Sequence, residues 1–242
     1  MDGPVVALDA VDAAYEGERS AALHGVTLRV RAGERLVIAG PNGAGKTTLL
    51  EVINGLLPFQ YGEVRVFGRA VAAEGRRLRT RIAYMPQDLS FPPTTPFLVR
   101  DVVMAARYAQ IGPFRWPSAE DRRHVACALD AVGIRTLAGR PIGRLSGGQQ
   151  RKALLARALA QGSRLLLLDE PTANLDPVAR DEVARVVSRV EEELGATALV
   201  VSHEAGPLRD GADRLVCIED GRIVADTPQT PSRAALVPAG VA

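Results

Sequence analysis

Residues 36–39 (LVIA) form a short apolar run that ends at Gly40-Pro41. It is too short for a helix and is bounded like a buried strand. Residues 165–168 (LLLL) and 198–201 (ALVV) repeat the pattern. Helical spacing separates these runs. Leu50 and Ile53 share a face within residues 47–54, residues 151–160 are rich in Ala, Leu and Arg, and Val183, Val186, Val187 and Val190 recur within residues 181–194. Strands alternating with helices predict an α/β fold whose parallel sheet is covered on both faces. Two regions depart from that plan. The chain up to about Gly33 alternates with period two, with turn signals at Glu16-Gly17 and Ala32-Gly33. Together with residues 62–69 (GEVRVFGR) it predicts a small antiparallel sheet beside the core. From about Asp88, through a proline-rich opening at residues 91–97, the pattern predicts an inserted helical lobe. The expected organisation is one domain: residues 1–87 and 161–230 as core, 88–160 as helical lobe, and 231–242 as a frayed tail.

Composition narrows the partners. The formal net charge of +2 in 242 residues favours neither nucleic acid nor an acidic surface. Aromatic residues are 4% of the chain, too few for a base-stacking platform. No run approaches the roughly 18 apolar residues of a membrane span, and the acidic start lacks the basic region of a secretory signal. A cytosolic protein is expected, with any membrane role coming through a partner. Cys127 and Cys217 stand apart without metal-ligand spacing and read as small core residues.

The chemistry starts where the first strand ends. Gly40, Pro41, Asn42, Gly43, Ala44, Gly45, Lys46, Thr47 and Thr48 match the spacing G-x-x-x-x-G-K-[ST] between a strand and a helix. Glycines let such a loop curl its N–H groups around phosphate oxygens. Lys46 supplies a mobile charge for the β- and γ-phosphates, and the Thr47 hydroxyl is placed to bind Mg²⁺. The run at 165–168 ends in Asp169 and Glu170. Asp169 would hold Mg²⁺ directly or through water, and Glu170 would accept a proton from the attacking water. The third strand leads to His203, whose imidazole can reach a γ-phosphate oxygen at the same sheet edge. His24 and His124 read as structural. Gln87, at the junction of core and helical lobe, could sense Mg²⁺ and the attacking water, though spacing alone leaves it open.

A second anion site is encoded a hundred residues downstream. Ser146-Gly147-Gly148 breaks the chain just before a helix-forming stretch. Such a join exposes backbone N–H groups at a positive helix end. Residues 145–149 (LSGGQ) resemble the signature motif of the ATP-binding cassette ATPases. The other motifs follow in that family's order: the phosphate loop, Gln87, the signature, Asp169-Glu170, Asn174-Leu175-Asp176 and His203. The resemblance runs from about Val5 to Asp226. It implies ATP and Mg²⁺ as cofactors and a head-to-tail dimer of two copies. In that dimer Ser146, Gly147, Gly148 and Gln149 face the γ-phosphate held by the other copy. It also implies that Asp176 communicates between the sites and that Tyr15 stacks on adenine, against a simple packing role in the small sheet.

By the same resemblance the chain is the ATPase subunit of a membrane transporter, peripheral at the cytoplasmic face. Integral-membrane permease subunits supply the pathway, and an extracytoplasmic solute-binding protein takes part indirectly. The groove around residues 87–99 would receive the permease, with Phe91 and Phe97 as contacts or as lobe packing. Residues 102–134 are similar to the group that imports manganese, zinc or iron, through Arg107-Tyr108, Gly112, Phe114-Arg115, Pro117-Ser118 and Asp121-Arg122. That group usually has Gly where this chain has Ala106. Other departures are Arg151-Lys152 for the frequent Gln-Arg, which puts a bidentate contact there in doubt, and Asn174 for a small residue. An iron-chelate importer, an exporter, a soluble non-transport cassette and a small-molecule kinase are the competing readings, in that order.

Overall fold

The computed structural model describes residues 3–17, 21–87, 90–112, 114–173, 175–202 and 206–230. The expected tail at 231–242 therefore lies outside the described residues. In chain order the elements are β1 (Val6–Ala13), β2 (Leu23–Val30), β3 (Arg35–Ala39), α1 (Lys46–Ile53), β4 (Tyr61–Val66), β5 (Arg69–Ala70), α2 (Val71–Leu78), β6 (Ile82–Met85), α3 (Val99–Met104), α4 (Tyr108–Ile111), α5 (Ala119–Ala131), α6 (Gly147–Ala160), β7 (Leu165–Asp169), α7 (Pro177–Leu194), β8 (Thr197–Val201), α8 (Pro207–Asp210), β9 (Arg214–Glu219) and β10 (Arg222–Pro228).

Six strands make the central sheet, in the order β10-β9-β3-β8-β7-β6. All neighbours are parallel except the edge pair β9 and β10. The apolar runs seen in the sequence explain this placement. Successive strand residues point to opposite faces. Leu36, Ile38, Leu165, Leu167, Leu199 and Val201 enter one core with α1 and the small sheet. Val37, Leu166, Leu168, Ala198 and Val200 enter the other, with α3, α5, α6 and α7. A strand apolar at every position serves both cores, and each fully buried Leu contributes about 1.5–3 kcal/mol. Arg35, 1% exposed, starts β3 and is gripped by Glu191 and Ser188 of α7. That buried pair fixes the helix to the strand that leads into the phosphate loop.

The antiparallel sheet, ordered β2-β1-β4-β5, lies against α1 as the alternation predicts. The edge hairpin β9–β10 was not anticipated. It turns at Asp220 and Gly221, both with positive φ (45° and 72°), the conformation that Asp-Gly hairpin turns adopt. Within the insertion, α3, α5 and α6 pack on one another. Neither cysteine is a core residue: Cys127 is exposed on the outer face of α5, and Cys217 is half-buried on β9.

Helix α5 opens on a capping box. Ser118 Oγ accepts from Asp121 N, and Asp121 Oδ2 accepts from both Ser118 N and Ser118 Oγ. Arg107 Nε donates to Asp121 Oδ1 at 3.0 Å and its Nη1 reaches the Ala160 carbonyl, tying the loop to α6. The Ser118 hydrogen bonds, followed by Arg107, pull the Asp121 carboxyl down to about 2. A depressed carboxyl stabilises the fold above its unfolded value near 4, and the contribution is lost as pH falls through about 2. Asp121→Asn is therefore expected to be less stable than the parent at neutral pH. The gap should close on acidification, as measured by urea unfolding across a pH series.

Candidate active site

The phosphate loop leaves the carboxyl end of β3, and two of its glycines are required by contact. A Cβ on Gly40 (φ 149°) would meet the Ile218 carbonyl oxygen at 2.0 Å, and one on Gly45 (φ 100°) would meet that of Ala22 at 2.5 Å. Gly221 N donates to Ala44 O and His24 N to Gly221 O, so the edge hairpin and β2 brace the loop from outside. Helix α1 begins at Lys46 with no side-chain cap and no acidic residue in its first turn. Its leading N–H groups are thus left for an anion. Lys46 Nζ donates to the carbonyls of Gly40 (3.0 Å) and Pro41 (2.7 Å), so the ammonium lies over its own loop. Burial lowers its pKa, against the opposing charges of Glu170 and Asp169.

Strand β7 delivers the acids beside this loop. Thr47 Oγ1 donates to Asp169 Oδ2 at 2.7 Å. Asp169 is fully buried, and its Oδ1 has no partner among the described residues. Burial raises its pKa, and the Thr47 hydrogen bond opposes that shift. A buried carboxylate oxygen left bare beside a threonine hydroxyl suits a hard cation such as Mg²⁺. Glu170 follows with φ 51°, a left-handed conformation uncommon for a side-chain-bearing residue. Its N–H donates to Val201 O, and its carbonyl accepts from Ala173 N and from Arg151 Nη1. Arg151 Nη2 donates to the carbonyl of Gln87 at 3.1 Å.

The remaining expected residues fall as follows. Tyr15 hydrogen-bonds through its hydroxyl to Glu51 Oε2 (2.8 Å) and to Thr48 Oγ1 (3.3 Å), next to the start of α1. Phe91 packs against the helical core, and its backbone is held by the Gln150 amide; Phe97 is 61% exposed. His203 and Asn174 lie outside the described residues. Asp176 caps α7, its Oδ1 accepting from Ala179 N. Sequence reasoning missed Tyr84, whose hydroxyl is buried without a partner among the described residues. Burial, then the charge of Asp169, raises its pKa. Nothing in its local pattern signals this, because β6 comes beside β7 only through the sheet order.

The expected second anion site falls at the start of α6, four residues before the predicted helix boundary at 151. Ser146 and Gln149 form a capping box: Gln149 N donates to Ser146 Oγ, and Ser146 N to Gln149 Oε1. Ser146 and Gly147 are exposed. Leu175 lies against Gly148, where a Cβ would come within 3.2 Å of its Cδ2. Among the described residues, no hydrogen bond or ion pair joins Ser146–Gln149 to residues 40–48.

A family profile described as ABC transporter matches residues 23–173. The chain belongs to the ABC transporter family. As a cassette ATPase it binds ATP and hydrolyses it in step with transport. It is 37% identical over 217 residues to the manganese transport system ATP-binding protein MntB of Bacillus subtilis, covering 88% of this chain and 82% of that one. It is 41% identical over 207 residues to the hemin import ATP-binding protein HmuV of Streptomyces coelicolor, covering 85% and 72%. Among solved structures it is similar to the dimeric bacterial ABC transporter cassette MJ0796, at 27% identity and a TM-score of 0.82, covering 92% and 98%. The fold expected from the sequence is the one these cassettes share: a P-loop core, an antiparallel β part and a helical insertion. No helix among the described residues is long and apolar enough to cross a membrane.

Proposed function

We propose that the chain energises import of a transition-metal ion (manganese, zinc or iron) through a separate integral-membrane permease. It would sit at the cytoplasmic face, with an extracytoplasmic solute-binding protein delivering the ion. The active-site part of this reading rests on one observation, the Thr47–Asp169 bond with Asp169 Oδ1 left bare. ATP would supply the phosphoryl group, and Mg²⁺ would supply positive charge to offset that of the phosphates. Thr47 and Asp169, with Gln87, would hold the cation. Residues 40–48 cradle the phosphates with their N–H groups, while Lys46 turns from the Gly40 and Pro41 carbonyls to the β/γ oxygens. Glu170 accepts the proton of the attacking water, and His203 orients the γ-phosphate. Tyr15 stacks on adenine.

The exposed start of α6 completes the site of a second copy. A C₂ dimer satisfies each loop with the other chain's Ser146, Gly147, Gly148 and Gln149, and brings Asp176 to the shared boundary. Residues 88–160 act as the docking lobe and residues 1–87 with 161–230 as the hydrolytic core. The metal assignment is supported by relatives named for manganese and zinc transport. In the docking lobe Arg107, Ser118 and Asp121 are bonded together, and Phe114 and Trp116 are exposed on the same loop. Hemin or another iron chelate is the second reading, favoured by the 41% identity to a hemin import subunit.

The test is transport by vesicles carrying the chain with a candidate permease, following radioactive manganese and zinc, with Glu170→Gln as the blank. ATP-dependent movement that vanishes in the blank is expected. ATPase activity stimulated by the permease without metal movement would retain the transporter and discard the metal.

A further inference from the structure

Arg151 lies within the first turns of α6, just behind the Ser146–Gln149 cap. Its guanidinium is divided between two main-chain carbonyls from different parts of the fold. Nη1 donates to Glu170 O, just past β7, and Nη2 to Gln87 O, just past β6. The Glu170 peptide is held at several points: its N–H by Val201 O, and its carbonyl by Arg151 and by Ala173 N. Such restraint is what keeps a side-chain-bearing residue at φ 51°. Loss of one restraint therefore acts on the direction of the Glu170 carboxylate more than on the fold. The preceding residue of α6, Gln150, grips the Phe91 backbone through both polar atoms of its amide. Lys152 pairs with Glu182 of α7 at 2.6 Å. The start of α6 is thus bonded to the segments that carry Gln87 and Glu170. Arg and Lys stand here where the family often has Gln and Arg. The planar fork that was in doubt at 152 is supplied from 151.

We propose that Arg151 is a positioning residue that relays occupancy of the signature end of α6 to the chain's own Glu170. The inference rests on the head-to-tail reading above. A phosphate in the partner's loop engages Ser146–Gln149. A shift of that helix end travels through one rigid turn to Arg151, and from its fork to the peptides of Glu170 and Gln87. Glu170 serves the nucleotide in its own chain's loop. Filling one site therefore sets the base at the other, and the two hydrolyse cooperatively. A fork sets angle as well as distance, which a lysine's single mobile charge does not.

The experiment compares the full-length parent with Arg151→Gln and Arg151→Lys. Hydrolysis is measured against ATP concentration, and affinity by equilibrium binding of a fluorescent ATP analogue. The parent curve is expected to be sigmoidal. Both variants should bind the analogue like the parent, lose about tenfold in kcat as Glu170 drifts from its geometry, and give curves clearly less sigmoidal than the parent's. Several results overturn the relay: a hyperbolic parent, variants that keep the sigmoidal curve, full recovery by Arg151→Lys, or loss of analogue binding. Failure of the underlying site reading looks different, because Glu170→Gln would then hydrolyse at the parent rate whatever Arg151 does.

Discussion

Glu170→Gln is expected to bind ATP like the parent and to hydrolyse it about 10²–10⁴-fold more slowly, the range a positioned general base contributes. The amide has the size and shape of the carboxylate, so the restrained peptide at φ 51° and its bonds to Val201, Ala173 and Arg151 should persist. Thr47 and Asp169 are untouched, so the cation site remains. What is lost is the capacity to take a proton. With ATP bound and uncleaved, the two composite sites stay closed, and the variant should run as a dimer on gel filtration in ATP and as a monomer without it. Phosphate release at the parent rate would place the base elsewhere. Normal dimerisation with unchanged hydrolysis would exclude a folding artefact as the reason.

The core was legible because its strands are apolar at every position. Leu165, Leu166, Leu167 and Leu168 feed two cores at once, as do the runs at 36–38 and 198–201. The edge of the sheet was less visible. Strand β10 is largely exposed, so its alternation is weak, and only Asp220-Gly221 announces the hairpin. Gly147 and Gly148 have poor helix propensity and so hide the true start of α6 from periodicity. The Ser146 to Gln149 spacing, a capping box, outweighs them. Within the site, the loop and the acids could be read because each sits at a strand end with a fixed spacing. The Arg151 fork could not. It exists only where residues 87, 151 and 170 converge, and that convergence belongs to the sheet order. Tyr84 was hidden for the same reason. Cys127 is exposed because it lies on the side of α5 away from Val125, Ala128 and Leu129.

Ser146→Arg and Lys46→Ala should each nearly abolish hydrolysis alone, and a mixture of the two should recover it. Ser146→Arg removes a helix cap, a loss of about 0.5–2 kcal/mol, against a typical domain stability of about 5–15 kcal/mol. The variant should therefore fold. Its own loop is intact, so ATP binding to the isolated chain should be nearly unchanged, but its α6 now presents a bulky side chain where a phosphate should dock. Lys46→Ala has the opposite defect: an intact signature and a loop without the ammonium that lies over Gly40 and Pro41. In a mixed dimer one composite site carries both lesions and the other carries neither. Random pairing makes about half of the dimers mixed, so roughly a quarter of the parent's sites should be restored, each turning over at the slower rate of a site whose neighbour is empty. If the signature served its own chain's loop, every site in the mixture would carry one lesion and no activity would return. The recovered activity has a further property to check. Only one site per mixed dimer binds ATP well, so no second nucleotide is left to bias Glu170 through Arg151. The recovered hydrolysis should be hyperbolic in ATP even though the parent is sigmoidal. Recovery with a sigmoidal curve would keep the shared site and remove the relay.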